Sequence, residues 1–368
     1  MGQWPPASCP SLPRERIARL EWIELGVALV VILFSAELFT NGVEWIGANL
    51  GLSEGAVGSV LAAVGTALPE TLLPLVAILV GHEAGKEIGI GAILGAPFML
   101  STLAMFVVGT AVLVLARGGR RSTDLMGDRR VLLQDLGYFL VMYALALAAG
   151  LFHPRWFKWL LAAALMVGYA FYVKRHFESP AKRVEEAEAT GEVRPLYLRR
   201  WIRGVQRKEV ENPTPPPTWA SIAQTLVALV GIIGGARVFV LGIDRIAKTF
   251  AIPPLALALL VAPIATELPE KFNSVIWVRR RKDTLALANL TGAMVFQSSF
   301  PVTIGLLLTP WRFTGAQNVD SLVAAAVALA AGSVLWVTVK VRGKLGARLL
   351  LAQGAFFAGY VVFVLVRL

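Results

Sequence analysis

The sequence predicts an all-α polytopic membrane protein, with ten transmembrane helices arranged as two inverted five-helix repeats. Three observations lead there. Of 368 residues, 56% are hydrophobic and only 16% charged, where soluble domains carry about a quarter charged. Roughly 200 apolar positions suffice for about ten crossings of about twenty residues each. The apolar runs fall at 22–42, 53–81, 88–116, 132–151, 156–175, 219–243, 253–278, 284–309, 320–340 and 346–367, five on each side of a polar stretch. Finally, residues 36–70 align without a gap with residues 236–270, and ten of the 35 positions are identical.

The chain divides accordingly into a tail at 1–21, a first five-helix repeat at 22–175, a loop at 176–218 and a second repeat at 219–368. In the tail, prolines stand where a signal peptide needs an apolar core, and Pro6 spoils the myristoylation pattern after Gly2, so an uncleaved tail is expected. Basic residues orient the spans. The connections after spans one, three, five, seven and nine hold 23 Lys and Arg, those on the other side hold 11, and Lys271 inside a span completes the 35. Cytoplasmic loops collect Lys and Arg, so both termini are expected outside and the 176–218 loop in the cytoplasm of a plasma or inner membrane. The net charge of +11 is then a sorting signal and predicts no nucleic-acid partner. Cys9 is the single cysteine and excludes an internal disulfide or a Cys cluster, while three separated histidines argue against a His-ligated metal.

An odd number of spans per half makes any repeat of the first half inverted, which is a signature of transporters whose half-bundles rock about a central site. The alignment carries Phe39, Gly42 and Ile46 onto Phe239, Gly242 and Ile246, and ends in Thr66-Ala-Leu-Pro-Glu70 against Thr266-Glu-Leu-Pro-Glu270. An ionised carboxylate at membrane depth costs at least about 3 kcal/mol, so Glu70 and Glu270 need a reason to be there. Thr66 and Glu70 lie one helical turn apart on one face. Pro69 and Pro269 each free a carbonyl one turn back, and a freed carbonyl is a cation ligand. Two inverted copies would therefore gather two carboxylates, two hydroxyls and two unwound backbones near the midplane. That all-oxygen inventory suits a hard cation such as Ca²⁺ and not a soft transition metal. A site of charge −2 is neutralised by one Ca²⁺, two Na⁺ or two H⁺, and an empty site would resist crossing the low-dielectric barrier.

Gly-Thr-Ala-Leu-Pro-Glu at 65–70 and Ala-Thr-Glu-Leu-Pro-Glu at 265–270 resemble the two alpha repeats of the cation/calcium exchanger superfamily, particularly its sodium/calcium exchanger branch, whose pattern is Gly-Thr-Ser-Leu-Pro-Glu. The resemblance implies a ten-helix fold and Ca²⁺ extrusion driven by a monovalent-cation gradient. It carries Glu70 and Glu270 over as central ligands, with Thr66 and Thr266 supplying hydroxyl or carbonyl oxygen. It also implies that the first and sixth spans move against the core.

Departures from that pattern bear on the coupling ion. The family's serine is replaced by Ala67 and Glu267. In the third and eighth spans the family's Gly-Asn-x-x-Gly-Ser-Asn becomes Gly91-Ala-Ile-Leu-Gly95-Ala-Pro97 and Ala288-Asn-Leu-Thr-Gly292-Ala-Met294, in which Asn289 is the one polar member of the pattern that survives. Fewer neutral oxygens mean fewer Na⁺ sites, and H⁺ coupling needs only the carboxylates. Two roles stand open for Glu267, as a third ligand or as the partner of Lys271 four residues on. Asn289 is a cation ligand or helix-to-helix glue.

Gln297, Ser298 and Ser299 read as packing or pathway residues, and Gly89, Gly91 and Gly95 as close-packing positions. Glu37 either lines an ion path or is interfacial, and Glu44 and Asp244 read as solvated span ends. Gly51-Leu-Ser53-Glu-Gly55 has the letters of a hydrolase elbow but follows a helix instead of a strand, so no enzyme activity is expected. The stretch 196–207 has apolar positions at 198, 201, 202 and 205 among arginines, which reads as a helix on an anionic leaflet or as a solvated linker. The expectation is thus a monomeric multi-pass antiporter that exchanges Ca²⁺ for Na⁺ or H⁺ in the lipid bilayer, with transported ions and no cofactor. The alternatives are an H⁺-coupled exchanger of another divalent cation, a cation channel or a membrane scaffold.

Overall fold

The computed structural model describes residues 14–50, 68–117, 119, 121–152, 154–178, 196–197, 216–313 and 319–367. Its helices are α1 (Arg14–Asn49), α2 (Leu68–Val80), α3 (His82–Met99), α4 (Met105–Arg117), α5 (Arg129–Leu151) and α6 (Arg155–Glu178), then α7 (Thr218–Phe250), α8 (Pro254–Thr266), α9 (Leu268–Arg279), α10 (Asp283–Gln297), α11 (Phe300–Leu308), α12 (Val319–Arg342) and α13 (Ala347–Arg367). A two-residue antiparallel ribbon, β1 (Asp124–Leu125) with β2 (Leu345–Gly346), is the strand pairing among the described residues.

Eight stretches are long and apolar enough to cross a bilayer: Leu20–Asn49, Ala84–Arg117, Arg129–Leu151, Arg155–Arg175, Thr218–Phe250, Asp283–Leu308, Val319–Arg342 and Ala347–Arg367. They correspond to eight of the ten expected spans. The second and seventh contribute the shorter apolar helices Pro69–Val80 and Pro254–Ile264. In the seventh the reason is local. Pro269 stands at the start of α9 and lacks a backbone N–H, and the chain unwinds at Glu267 (φ −85°, ψ 5°) between α8 and α9. The eighth span breaks at Ser298 and Ser299 between α10 and α11, with Pro301 just beyond. In the third span a π turn at Leu100–Ala104 joins α3 to α4.

Two helices overrun their expected limits. The first span was expected at 22–42 and the sixth at 219–243, yet α1 has 36 residues and α7 has 33. At about 1.5 Å per residue both exceed the roughly 30 Å hydrocarbon layer. Each finds its polar partners on the other: Arg245 bonds Glu24 at 2.7 Å, Thr249 Oγ1 lies 3.3 Å from Glu21, and Gln224 Nε2 donates to Leu38 O and Asn41 Oδ1. Glycines in α7 let the two backbones close up, since a Cβ on Gly231 would meet Ser35 and one on Gly235 would meet Ile32. Lipid tails offer helices no hydrophobic reason to associate, so close packing and hydrogen bonds do that work. Exposed Val30, Val227 and Val230 turn outward, as a lipid solvent permits.

Buried side chains form two main clusters. One joins α1 and α7 to α2, α3 and α8 through Ile32, Leu73, Ile88, Phe239 and Leu257. The other fills the remaining bundle, from Phe98 and Phe139 to Leu290 and Leu335. Within the bundle α3 crosses α8, α2 meets α11, α4 lies along α13, α6 along α11, and α5 packs on α10 and α12. Arg121 clamps one end of this assembly, bonding both oxygens of Asp283 at 2.8 and 2.9 Å and Val278 O at 2.9 Å. Asp128 caps α5 by accepting from the backbone of Arg130 and Val131.

Where α3 crosses α8, a Cβ on Gly95 would lie 2.2 Å from Leu259 O, a backbone atom that cannot swing aside, whereas Gly234 has nothing within 4 Å. Gly95→Ala should therefore lower the unfolding temperature of the detergent-solubilised protein. Gly234→Ala should hold or raise it, with up to about 1 kcal/mol from helix propensity.

Candidate functional site

Glu70 and Glu270 are each the third residue of a helix whose second residue is proline, α2 and α9 respectively. Glu70 is 6% exposed. Thr66 lies outside the described residues, and of Glu270 the backbone is described but not the side chain. Between α8 and α9, Glu267 is fully buried and Thr266 nearly so. The Thr266 hydroxyl donates to Ala262 O at 3.3 Å. Backbone bonds span the unwound point, from Glu267 N to Pro263 O at 3.1 Å and from Lys271 N to Glu267 O at 3.3 Å. A break at this place sets the carbonyl end of one half-helix and the N–H end of the next against the same interior.

One face of α9 looks inward. Glu267, Lys271 and Ser274 are buried at one-turn intervals, while Phe272 and Asn273 are exposed. The two halves of the eighth span meet this face. Gln297 Nε2 donates to Glu267 Oε1 at 3.2 Å, and Asn289 Nδ2 donates to Ser274 Oγ at 3.1 Å. Glu267 and Asn289 are thereby each tied to the facing helix.

Ser101 and Thr102, at the π turn, donate to Phe98 O, and Ser298 and Ser299 donate to the carbonyls of Val295 and Phe296. Hydroxyls of this kind satisfy the carbonyls that a bent helix frees. Glu37 accepts from the Tyr197 hydroxyl at 2.9 Å on the exposed flank of α1. Asp244 pairs with Lys248 at 2.6 Å on the surface of α7.

The residue that the sequence reading passed over is Asp135. It is fully buried on α5, and its two oxygens accept from Tyr172 of α6 at 3.1 Å and Thr291 of α10 at 2.7 Å. Three helices thus converge on one carboxylate. An acid three residues inside the 132–151 run was the available signal, obscured by its closeness to the end of that run.

Known proteins place this arrangement. The sequence matches the family described as sodium/calcium exchanger protein over residues 20–175 and 220–368. Among curated relatives, the CaxA protein of Alkalimonas amylolytica is 27% identical over 314 residues, covering 83% of this chain and 86% of that one. The inner membrane protein YrbG of Escherichia coli (strain K12) is 24% identical over 287 residues, covering 78% and 79%. Among solved structures, an H⁺/Ca²⁺ exchanger CAX superposes with a TM-score of 0.65 at 16% identity, covering 94% of this chain and 82% of that one. The sodium-calcium exchanger NCX_Mj superposes with a TM-score of 0.52 at 19% identity, covering 94% and 99%.

Replacing Asp135 by Ala leaves two buried hydroxyls without their acceptor. At about 1–2 kcal/mol for each interhelical bond in a membrane protein, a loss of about 2–4 kcal/mol is expected in reversible unfolding. Asp135→Asn, which keeps an acceptor oxygen, should lose less.

Proposed function

The chain belongs to the sodium/calcium exchanger protein family, and from that membership we propose that it is a secondary antiporter moving Ca²⁺ against Na⁺ or H⁺ through a site shared by Glu70 and Glu270. The observation that carries this reading is the recurrence of Leu-Pro-Glu at the first turn of α2 and of α9, with Glu70 buried in an apolar helix. A buried acid at membrane depth is retained for what it binds. Two carboxylates together with carbonyl and hydroxyl oxygens would make a hard-cation cradle, with Thr66 and Thr266 as the proposed hydroxyl or carbonyl donors.

Exchange follows from charge. With both glutamates ionised the site carries −2, and its transfer through the bilayer interior is opposed until one Ca²⁺, two Na⁺ or two H⁺ cancel that charge. A carrier of this kind returns only when loaded, which couples the two fluxes.

The two halves are proposed to be inverted five-helix repeats forming ten spans. Pairings that come as mates support this: α3 with α8 and α11 with α2, α4 with α13 and α11 with α6, α5 with α10 and α12 with α3. The buried cluster through which the α1–α7 pair meets α2, α3 and α8 is distinct from the one that fills the rest of the bundle, which supports alternating access by motion of that pair. The basic asymmetry of the loops supports an orientation with both termini outside and the 176–218 loop in the cytoplasm.

Proton coupling is the second reading, favoured by the loss of polar residues at Ala92, Ala96 and Pro97 in the third span. Protons need no neutral oxygen ligands beyond the carboxylates. Sealed proteoliposomes loaded with Ca²⁺ and given either a Na⁺ gradient or a pH gradient decide between them. One gradient alone should drive Ca²⁺ flux, and Glu70→Gln or Glu270→Gln should each lower that flux at least about 100-fold, as expected when a ligand that carries charge is lost. Current without a counter-ion would instead indicate a channel, and undiminished flux in both variants would contradict the shared site.

A further inference from the structure

We propose that Lys271 is a tethered counter-ion of the transport site, its ammonium standing beside Glu267 in the place that a bound monovalent cation would otherwise take. This inference rests on the reading of Glu70 and Glu270 as the transporting carboxylates, and it sets how much mobile charge the site needs before it is neutral.

Buried charge elsewhere in the bundle is met by local partners. Asp135 has Tyr172 and Thr291, Asp320 has Arg367, and Lys158 has the carbonyls of Pro310 and Trp311. Lys158 and Lys271 are the two buried lysines among the described residues, and Lys271, 6% exposed, lies in the second copy of the motif. It shares the inward face of α9 with the fully buried Glu267. A backbone bond from Lys271 N to Glu267 O at 3.3 Å joins the two by regular helical spacing. Four residues apart, the side chains leave the helix about 40° from one another, with the acid N-terminal to the base, the order that favours pairing. Glu270 is next in sequence to Lys271 but about 100° round the helix, and adjacent residues do not face each other. Gln297, which donates to Glu267 at 3.2 Å, is neutral and leaves the carboxylate charge in place. A carboxylate and an ammonium are each costly in a low-dielectric interior, and each offsets the other.

The repeat supplies an independent observation. Glu267 stands against Ala67, and carrying the ungapped alignment one residue further sets Lys271 against Thr71. The second copy has both charges and the first has neither. Each copy therefore sums to −1, and the whole to −2, the value for Glu70 and Glu270 alone. Glu267 without Lys271 would bring the site to −3, so that Ca²⁺ would need a monovalent companion before the barrier could be crossed. Lys271 supplies that third positive charge permanently. Ca²⁺ by itself then neutralises the site, and the Ca²⁺ half of the cycle runs without a co-bound small cation.

The test uses the full-length protein in proteoliposomes and follows exchange of radiolabelled for unlabelled Ca²⁺, with a bulky organic ion as the monovalent cation on both sides. Equilibrium Ca²⁺ binding is measured in parallel on the purified protein. The wild-type chain should exchange under these conditions. Lys271→Met keeps the stem and removes the charge, so it should bind Ca²⁺ about tenfold more tightly and yet exchange it at least about tenfold more slowly. Damage to the fold would weaken both. Glu267→Gln leaves the ammonium unopposed and should raise the Ca²⁺ Kd about tenfold. Glu267→Gln with Lys271→Met should bring binding and exchange back to within about threefold of wild type, the mutual rescue expected of a charge pair. If Lys271→Met does not fold, the fall in Kd from Glu267→Gln to the double variant carries the test. A folded Lys271→Met that binds and exchanges as wild type does, or a double variant no nearer to wild type than the single ones, overturns the assignment. Glu70→Gln separates this claim from the one beneath it. If it abolishes Ca²⁺ binding while the Lys271 variants behave as wild type, the counter-ion assignment alone falls. If it binds and exchanges Ca²⁺ normally, the shared carboxylate site falls and this assignment with it.

Discussion

A carboxylate held in the low-dielectric interior of a membrane must be neutralised by something, and that constraint organises this protein. Glu70 is buried on an apolar helix, Glu267 is fully buried at a helix break, and Lys271 is buried one turn beyond it. None of these groups earns its place by hydrophobic packing. Charge in such surroundings costs at least a few kcal/mol by insertion scales, so the fold retains it where an ion, a proton or a fixed partner compensates. Obligatory exchange, in the reading proposed above, is the same cost expressed as mechanism.

The architecture serves that constraint by interrupting helices where oxygen is needed. Unwinding at Glu267, the break at Ser298 and Ser299, and the π turn at Leu100–Ala104 all fall in the spans nearest the acids. Irregular backbone is tolerated at membrane depth only when protein or water satisfies it. Here serine and threonine hydroxyls do part of that, folding back on the freed carbonyls. Among the described residues the other helices run without a break. Asp135 ties α5, α6 and α10 together, and the long α1–α7 pair, bonded at both its ends, stands on a separate apolar cluster.

Much of this could be read from residue order alone, because apolar runs and paired Thr-x-Leu-Pro-Glu motifs are local signals. Pro269 announced the interruption of the seventh span, and the glycines at 91 and 95 announced the close crossing of α3 on α8. What the sequence left out depends on contacts between distant segments. The extra turns of α1 and α7 exist because each supplies partners for the other's polar ends, which no hydropathy window can register. Asp135 was passed over because its partners, Tyr172 and Thr291, are 37 and 156 residues away. Gln297 was read as a packing or pathway residue, and its hydrogen bond to Glu267 is likewise a contact between separate spans. Thr66 and the Glu270 side chain, central to the motif argument, lie outside what the structure describes, so their part in the site rests on the repeat.

Diffraction from crystals soaked in Sr²⁺, a heavy stand-in for Ca²⁺ with the same charge and oxygen preference, tests the shared site most directly. The account predicts an anomalous peak bounded by the carboxylates of Glu70 and Glu270, lost when either is replaced by Gln. A peak elsewhere in the bundle, with those two side chains apart or facing lipid, would contradict it.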